Sequence, residues 1–340
     1  MKYKVALLCN GFGSVHRGAE RLTQDIYDVL KDTYDIQIFS AVDTGTKRRK
    51  DFRIPWRNGK AYLEAYHFGK AWYHQNKKKH FDLIINNTGF IGSYWCNKYR
   101  KHTSTPFITL ERGGGKEELI NFFFKPDCIV FFTKTSERNS KKWFLPTVRT
   151  TTIPIGIYPH KFRGSPSSMY TKGMERPIIL STSALVPFKR VDLIIDTINL
   201  LGKGSMIQTS EGMLEEKIVK KGEELLGNRF IYIGTISREE IIKLYNSCNV
   251  FVNASRKEAF GIVYLEAMAS GLPIVTQDDK RRREIIGDAG EFVDCSNIQE
   301  FANAIDNATK NTYNSQEQIK RYDWKTVKQQ YINLIDGLIE

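Results

Sequence analysis

The chain has 340 residues, 41% of them apolar and 26% charged, with 25 glycines and 10 prolines. Such proportions exclude a disordered or low-complexity chain, and the length suffices for two hydrophobic cores. The net charge of +13 is unevenly placed: residues 1–165 carry 29 Lys plus Arg against 14 Asp plus Glu, whereas residues 166–340 carry 22 against 24. The first half therefore suits an anionic counterpart, whether a membrane surface, a phosphorylated acceptor or nucleic acid.

In chain order, the apolar run Lys4–Cys9 reads as a buried strand, followed by a glycine-bearing turn at Asn10–Gly13 and helical apolar spacing over Gly18–Leu30. Further strands are expected at 35–40, 82–86, 107–110 and 128–132, an alternation that predicts a parallel sheet with helices on both faces. The longest apolar runs, such as Ile129–Phe132, fall far short of the ~20 residues of a membrane span. The N-terminus lacks a signal-peptide pattern, so a cytoplasmic protein is expected. Cys9, Cys96, Cys128, Cys248 and Cys295 show neither CxxC nor Cys/His spacing. That reads as reduced, mostly buried thiols and no metal site.

The small polar stretch Arg163–Gly173 is the expected linker, giving domains 1–165 and 166–322. In the second, strands are expected at 177–181, 206–208, 230–233, 250–252 and 273–275, with a helix over 191–201. The segment 323–340 has helical period and stands apart from the second core, so it is a candidate to complete the first domain. The fold class is thus α/β, with two doubly wound Rossmann-like domains.

The most informative stretch runs from Arg256 to Pro273. A strand ends at Asn253, a loop carries Glu258, and Phe260-Gly261-Ile262 opens a helix whose first amides have no internal partners. Those amides and the positive end of the helix dipole suit a diphosphate. Glu266 lies on the same helix, and carboxylates accept hydrogen bonds from vicinal hydroxyls such as those of a ribose or a hexose. Gly271 and Pro273 end the helix. Two glutamates eight apart would ordinarily be a solvated helix face; here the strand before and the Gly-Leu-Pro exit after them favour a site.

The stretch EAFGIVYLEAMASGLPIV resembles the EX7E motif of retaining GT-B glycosyltransferases of family GT4. Ser183–Leu193 resembles the phosphate-clamp segment of that family, Arg17–Arg21 its GGAER loop, and Ile153–Phe162 the element before its interdomain linker. The resemblance implies two Rossmann-like domains facing across a cleft, and metal-independent transfer of a hexose from a UDP- or GDP-sugar co-substrate to an acceptor hydroxyl. The acceptor expected is a glycan or a lipid-linked or cell-surface precursor. It further implies that Glu266 binds ribose, that Glu258, Ala259, Phe260, Gly261 and Ile262 hold hexose and diphosphate, and that Lys189 with Arg190 meets the leaving group. Lys189 and Glu258 are the catalytic candidates. Gly13 and Gly18 would approach the donor phosphates, and His16, Glu111 and Arg112 are candidate sugar or acceptor contacts.

This sequence departs from the family at Ala184, where an arginine is usual, at Glu111-Arg112 in place of a histidine, and at Gln277–Arg283 in place of glycines. Arg190, Arg112 or the Arg281-Arg282-Arg283 run are the candidate replacement cations. Gly11-Phe12-Gly13-Ser14-Val15-His16 is not a dinucleotide fingerprint, because the sixth position is His16. Lys47–Lys50, Phe52, Trp56, Tyr62, Tyr66, Phe68, Trp72, Tyr73 and Lys77–Lys79 interleave bases with aromatics. They read either as a solvated helix with its core stripe or as a surface for anionic lipid at the inner face of a membrane. Nucleic acid is the least supported partner, since no recognition module is visible. Two other activities share these features: a GT-B-type nucleotide-sugar epimerase or hydrolase, and a catalytically weak membrane- or polyanion-binding relative.

Overall fold

Two series of alternating strands and helices build two units, Met1–Gly156 with Trp324–Glu340, and Ile157–Asp323. The computed structural model describes residues 2–14, 18–46, 60–111, 116–142, 148–167 and 169–340. His16, Arg112, Lys47–Lys50, Phe52 and Trp56 lie outside the described residues.

The first unit runs β1 (Lys4–Leu8), α1 (Gly18–Leu30), β2 (Asp35–Phe39), α2 (Lys60–Asn76), β3 (Leu83–Asn86), α3 (Phe90–Thr103), β4 (Phe107–Leu110), β5 (Cys128–Phe131), α4 (Lys134–Lys141) and β6 (Thr150–Thr152), with a 3-10 segment at Lys116–Phe124. Its six strands are parallel in the order β2-β1-β3-β4-β5-β6. Strands β3, β4 and β5 are buried along their whole length, as continuous apolar runs covered on both faces must be.

The second unit runs β7 (Ile178–Ser181), α5 (Val191–Leu201), β8 (Ser205–Thr209), α6 (Glu215–Leu226), β9 (Phe230–Gly234), α7 (Arg238–Tyr245), β10 (Val250–Asn253), α8 (Ile262–Ala269), β11 (Ile274–Gln277), α9 (Lys280–Ile286), β12 (Gly290–Val293), α10 (Ile298–Lys310) and α11 (Gln316–Lys320). Its sheet is again parallel, ordered β12-β11-β10-β7-β8-β9. A core of Ile179, Ile194, Ile198, Val250, Val252 and Ile305 fills the space between this sheet and its helices. The final helix, α12 (Trp324–Ile339), belongs to the first unit. There Tyr34 donates its hydroxyl to Asp336 at 2.6 Å. Gly156 lies so close to Trp324 that a Cβ would come within 2.3 Å of the indole.

The division falls at Gly156/Ile157, nine residues ahead of the linker expected at 165/166. Ile157 pairs with Asp323 and donates its amide to the Tyr322 carbonyl, while the buried Phe162 accepts from Asn246 through its carbonyl. These contacts, invisible in composition, fix 157–162 to the second unit.

Each sheet reverses direction once. In the second unit the reversal lies between β7 and β10, and in the first between β1 and β3. Ligands of open α/β sheets bind outside the carboxyl ends of the strands at such switch points. Among the described residues, no helix is long and apolar enough to cross a membrane.

Candidate active site

At the switch point of the second unit, the loop after β7 carries Lys189 and the loop after β10 carries Glu258. Their side chains meet as an ion pair, Nζ to Oε2 at 2.5 Å, each 16% accessible. The β7 loop is held in place by Leu185, buried and bonded through its amide to the Glu211 carbonyl. Gly212 permits that approach, because a Cβ there would come within 2.3 Å of the Leu185 carbonyl oxygen. The two loops are tied directly where the Arg256 amide donates to the Phe188 carbonyl at 2.8 Å.

Helix α8 begins at Ile262 with Gly261 as its N-cap, two residues later than the expected start at Phe260. The reason is conformational: Gly261 has φ +82°, and a Cβ there would lie 2.4 Å from the Tyr264 ring and 2.9 Å from Glu258 Cγ. Only glycine turns the chain so tightly and lets Glu258 fold back over the helix start. Phe260 is consequently buried against Tyr322, whereas Ala259 is exposed. In the first turn of α8 the Tyr264 amide donates to the Gly261 carbonyl at 2.9 Å, while the amides of Ile262 and Val263 ahead of it have no carbonyl in a preceding turn of their own helix. Gly271, at φ +76°, follows the C-terminus of α8 as expected.

Glu266 lies one turn further along α8, 5% exposed. Arg238, from the first turn of α7, donates to Oε1 at 2.6 Å, and Tyr245, from its last turn, donates to Oε2 at 3.0 Å. Arg238 also lies over the Phe162 ring, 4.8 Å from its centroid. Burial, reinforced by the Glu266 charge, holds the Tyr245 hydroxyl well above the usual phenol range, so it remains a donor. Neither Arg238 nor Tyr245 was among the residues expected at the site. The signal available was the capping box of Ser237 and Glu240, which fixes where α7 begins and hence where Arg238 points.

Arg190 makes its hydrogen bonds within the second unit. At φ +51° it turns its side chain inward, where Nε donates to the Ala254 carbonyl, Nη1 to Ser296 and Nη2 to Gln277. It ties the β7, β10 and β12 loops together beneath the site. Within the arginine run, Arg282 is 2% exposed and spent on Tyr264, the Ser255 carbonyl and Asp279. Arg283 pairs with Asp278. Arg281 differs, because its Nη1 donates to the carbonyls of Glu258 and Ala259 at 2.7 and 2.8 Å, beside the Glu258 loop.

Gly13, at φ +76°, and Gly18, the first residue of α1, lie in the first unit on the loop after β1. The neighbouring strand end contributes Asn87, whose Nδ2 donates to the Ala19 carbonyl and to Thr23. Glu111 is turned inward and 2% exposed, with Oε2 accepting from the Phe132 amide. Among the described residues, no group of three or more His, Cys, Asp or Glu is arranged to hold a metal.

Residues 168–326 match the family described as glycosyl transferases group 1. A probable sucrose-phosphate synthase of Thermosipho melanesiensis is 30% identical over 203 residues, which are 54% of this chain and 46% of the relative, so the chain spans about half that protein's length. Among solved structures, sucrose-phosphate synthase from Thermosynechococcus elongatus matches with TM-score 0.84 at 17% identity, covering 99% of both chains. Anabaena Alr3699/HepE, solved with UDP-glucose, matches with TM-score 0.72 at 18% identity, covering 98% of this chain and 99% of that one. These likenesses establish the GT-B fold.

Proposed function

We propose that this chain, which has the GT-B fold and whose residues 168–326 belong to the glycosyl transferases group 1 family, transfers a hexose from a nucleotide diphospho-sugar to an acceptor hydroxyl with retention at the anomeric carbon. The observation that carries the reading is the Lys189–Glu258 pair over the Gly261 turn at the β7/β10 switch point, with Glu266 one turn along α8. The nucleoside diphosphate lies with its phosphates at Lys189 and the first amides of α8, and its ribose hydroxyls donate to Glu266. Glu258 accepts from the hexose hydroxyls. Arg281 stands beside the same loop and adds positive charge where Ala184 supplies none.

In the reaction the anomeric C–O bond to the phosphate breaks and the acceptor oxygen bonds to that carbon on the same face. The departing phosphate oxygen takes the acceptor proton. Lys189 and the amides stabilise the charge that develops on the leaving group, and positioning supplies the rest, with no metal and no protein nucleophile. UDP and GDP are the candidate nucleotides; the acceptor is a glycan or a lipid-linked precursor. The buried cysteines Cys96, Cys128 and Cys295, none of them in a disulfide, accord with a reducing, cytoplasmic setting.

The test is nucleotide release from a panel of UDP- and GDP-sugars, with and without a chelator, followed by anomeric assignment of the product by NMR. Release with one donor, undiminished by chelation and lowered by roughly 100-fold or more in Lys189→Ala, is the expected result. Inversion at the anomeric carbon, or loss of activity on chelation, would overturn the mechanism. Release without any glycosylated product would reduce the activity to hydrolysis.

A further inference from the structure

Helices α2 and α3 pack side by side on one face of the first unit's sheet, and their outward stripes match. On α2, Leu63, Tyr66 and Lys70 are spaced three and four apart; on α3, Tyr94, Lys98 and Lys101 are spaced four and three apart. Each set lies along one helix face, and all six residues are exposed. In both stripes the apolar residues stand at the N-terminal end and the lysines one to two turns further on.

The two apolar ends form one surface. Tyr66 and Tyr94 both pack on Trp95, with ring centroids 5.3 and 5.1 Å apart, and Tyr94 also meets Phe124 at 5.8 Å. Next to Phe124, Phe123 is 68% exposed and Leu63 57% exposed, values unusual for large apolar side chains. Lys98 is braced over the Trp95 and Tyr73 rings at 5.0 and 5.1 Å.

Between residues 62 and 103 the chain has seven Lys plus Arg against two acidic residues. A crossover helix starts at the carboxyl end of its strand, so the aromatic ends lie at the carboxyl edge of the sheet, the edge where α/β proteins bind ligands. Along each helix the lysines lie up to roughly 10 Å behind the apolar ends. That offset matches the step from the acyl boundary of a bilayer to its phosphate layer.

We propose that the N-terminal ends of α2 and α3 dock end-on on a bilayer containing anionic lipid, with Leu63, Tyr66, Tyr94 and Phe123 at the acyl boundary and Lys70, Lys98 and Lys101 among the phosphates. The docking is independent of the sugar chemistry assigned to the second unit. Its function is to bring the carboxyl edge of the first sheet to the membrane.

The full chain is sedimented with vesicles of phosphatidylcholine alone and of phosphatidylcholine with phosphatidylglycerol. The expected result is binding to the anionic vesicles only. The double variant Lys70→Glu, Lys101→Glu should partition at least roughly 30-fold more weakly, at about one charge's worth per lysine. Phe123→Ser, at an exposed position, should also weaken binding, and nucleotide-sugar turnover in free solution should stay unchanged in both variants. No binding to anionic vesicles overturns the proposal, as does undiminished binding by the charge variant. Loss on charge reversal with no effect of Phe123→Ser, together with equal affinity for heparin or RNA, identifies a polyanion site and overturns it too.

Discussion

The replacement Glu266→Gln separates a nucleoside-binding carboxylate from a structural one. The amide keeps the volume and can still accept from Tyr245, so the buried site is not left empty. What it loses is charge. Arg238 gives up an ion pair at 2.6 Å, yet its side chain is 43% accessible, so water replaces much of that interaction and the cost to folding stays near 1 kcal/mol or below. For a unit of this size that is a fall in Tm of roughly 2–4 °C. Two ribose hydroxyls donating to a carboxylate, by contrast, each lose about 1 kcal/mol when the acceptor becomes neutral. The product nucleotide should therefore bind roughly 30-fold more weakly, since 1.4 kcal/mol is a factor of ten. Calorimetric titration with UDP and GDP, beside a thermal melt, reads both numbers. A folded variant that binds its nucleotide within threefold of the parent would refute the ribose role. A fall in Tm above about 10 °C would show that Glu266 chiefly holds α7 to α8.

Three further substitutions test the neighbouring parts. Lys189→Ala should lower kcat by roughly 100- to 1,000-fold, the usual effect of removing one preorganised charge from a developing anion, with little change in Tm; steady-state rates on the best donor decide it. Gly261→Ala forces a side chain into a left-handed turn and against Tyr264, which should cost on the order of 2–3 kcal/mol and lower Tm by roughly 5–10 °C. In the first unit, burial tends to raise the Glu137 pKa, but hydrogen bonds from Lys141, Thr150 and Thr152 outweigh it and leave the pKa below the ordinary 4.5. A carboxylate so depressed stabilises the fold fully above 4.5 and ceases to do so as the pH falls through its folded value. The Tm difference between the parent and Glu137→Gln should thus be full at pH 6 and shrink towards pH 3.

Much of the second unit was legible because its signals are local. The apolar runs of β7 and β10, the glycine that opens α8 and the Gly271 exit are each readable within a few residues. The different settings of Lys189 and Arg190 were not legible, because the two are adjacent in sequence. A left-handed turn at that residue sends its side chain under the loops while Lys189 points into the site. The inward turn of Glu111 was hidden for a related reason: its amide continues the β4–β5 ladder and its carboxylate reaches back to Phe132, contacts set by strand register. Arg238 and Tyr245 reach Glu266 from 28 and 21 residues away. No pattern within one element could pair them with it.

The two carboxylates of the site share a property that bears on selectivity: each is met by a cation from another element, Glu258 by Lys189 and Glu266 by Arg238. Apart from Arg281, which meets only carbonyls, the cations of the site are already matched, so it offers limited net positive potential to a bare anion. Pyrophosphate would have to draw Lys189 away from Glu258 and would give that carboxylate nothing in return. A nucleotide sugar differs, because it brings phosphates to the cations and hydroxyl donors to both carboxylates, so the ion pairs can be shared rather than broken. Inhibition by pyrophosphate should accordingly be at least about 100-fold weaker than by the nucleoside diphosphate, a gap of roughly 2.7 kcal/mol. Competition titrations of each against the best donor measure it. Equal inhibition would mean that Lys189 and the α8 amides act as a simple anion trap, with Glu258 and Glu266 outside the recognition surface.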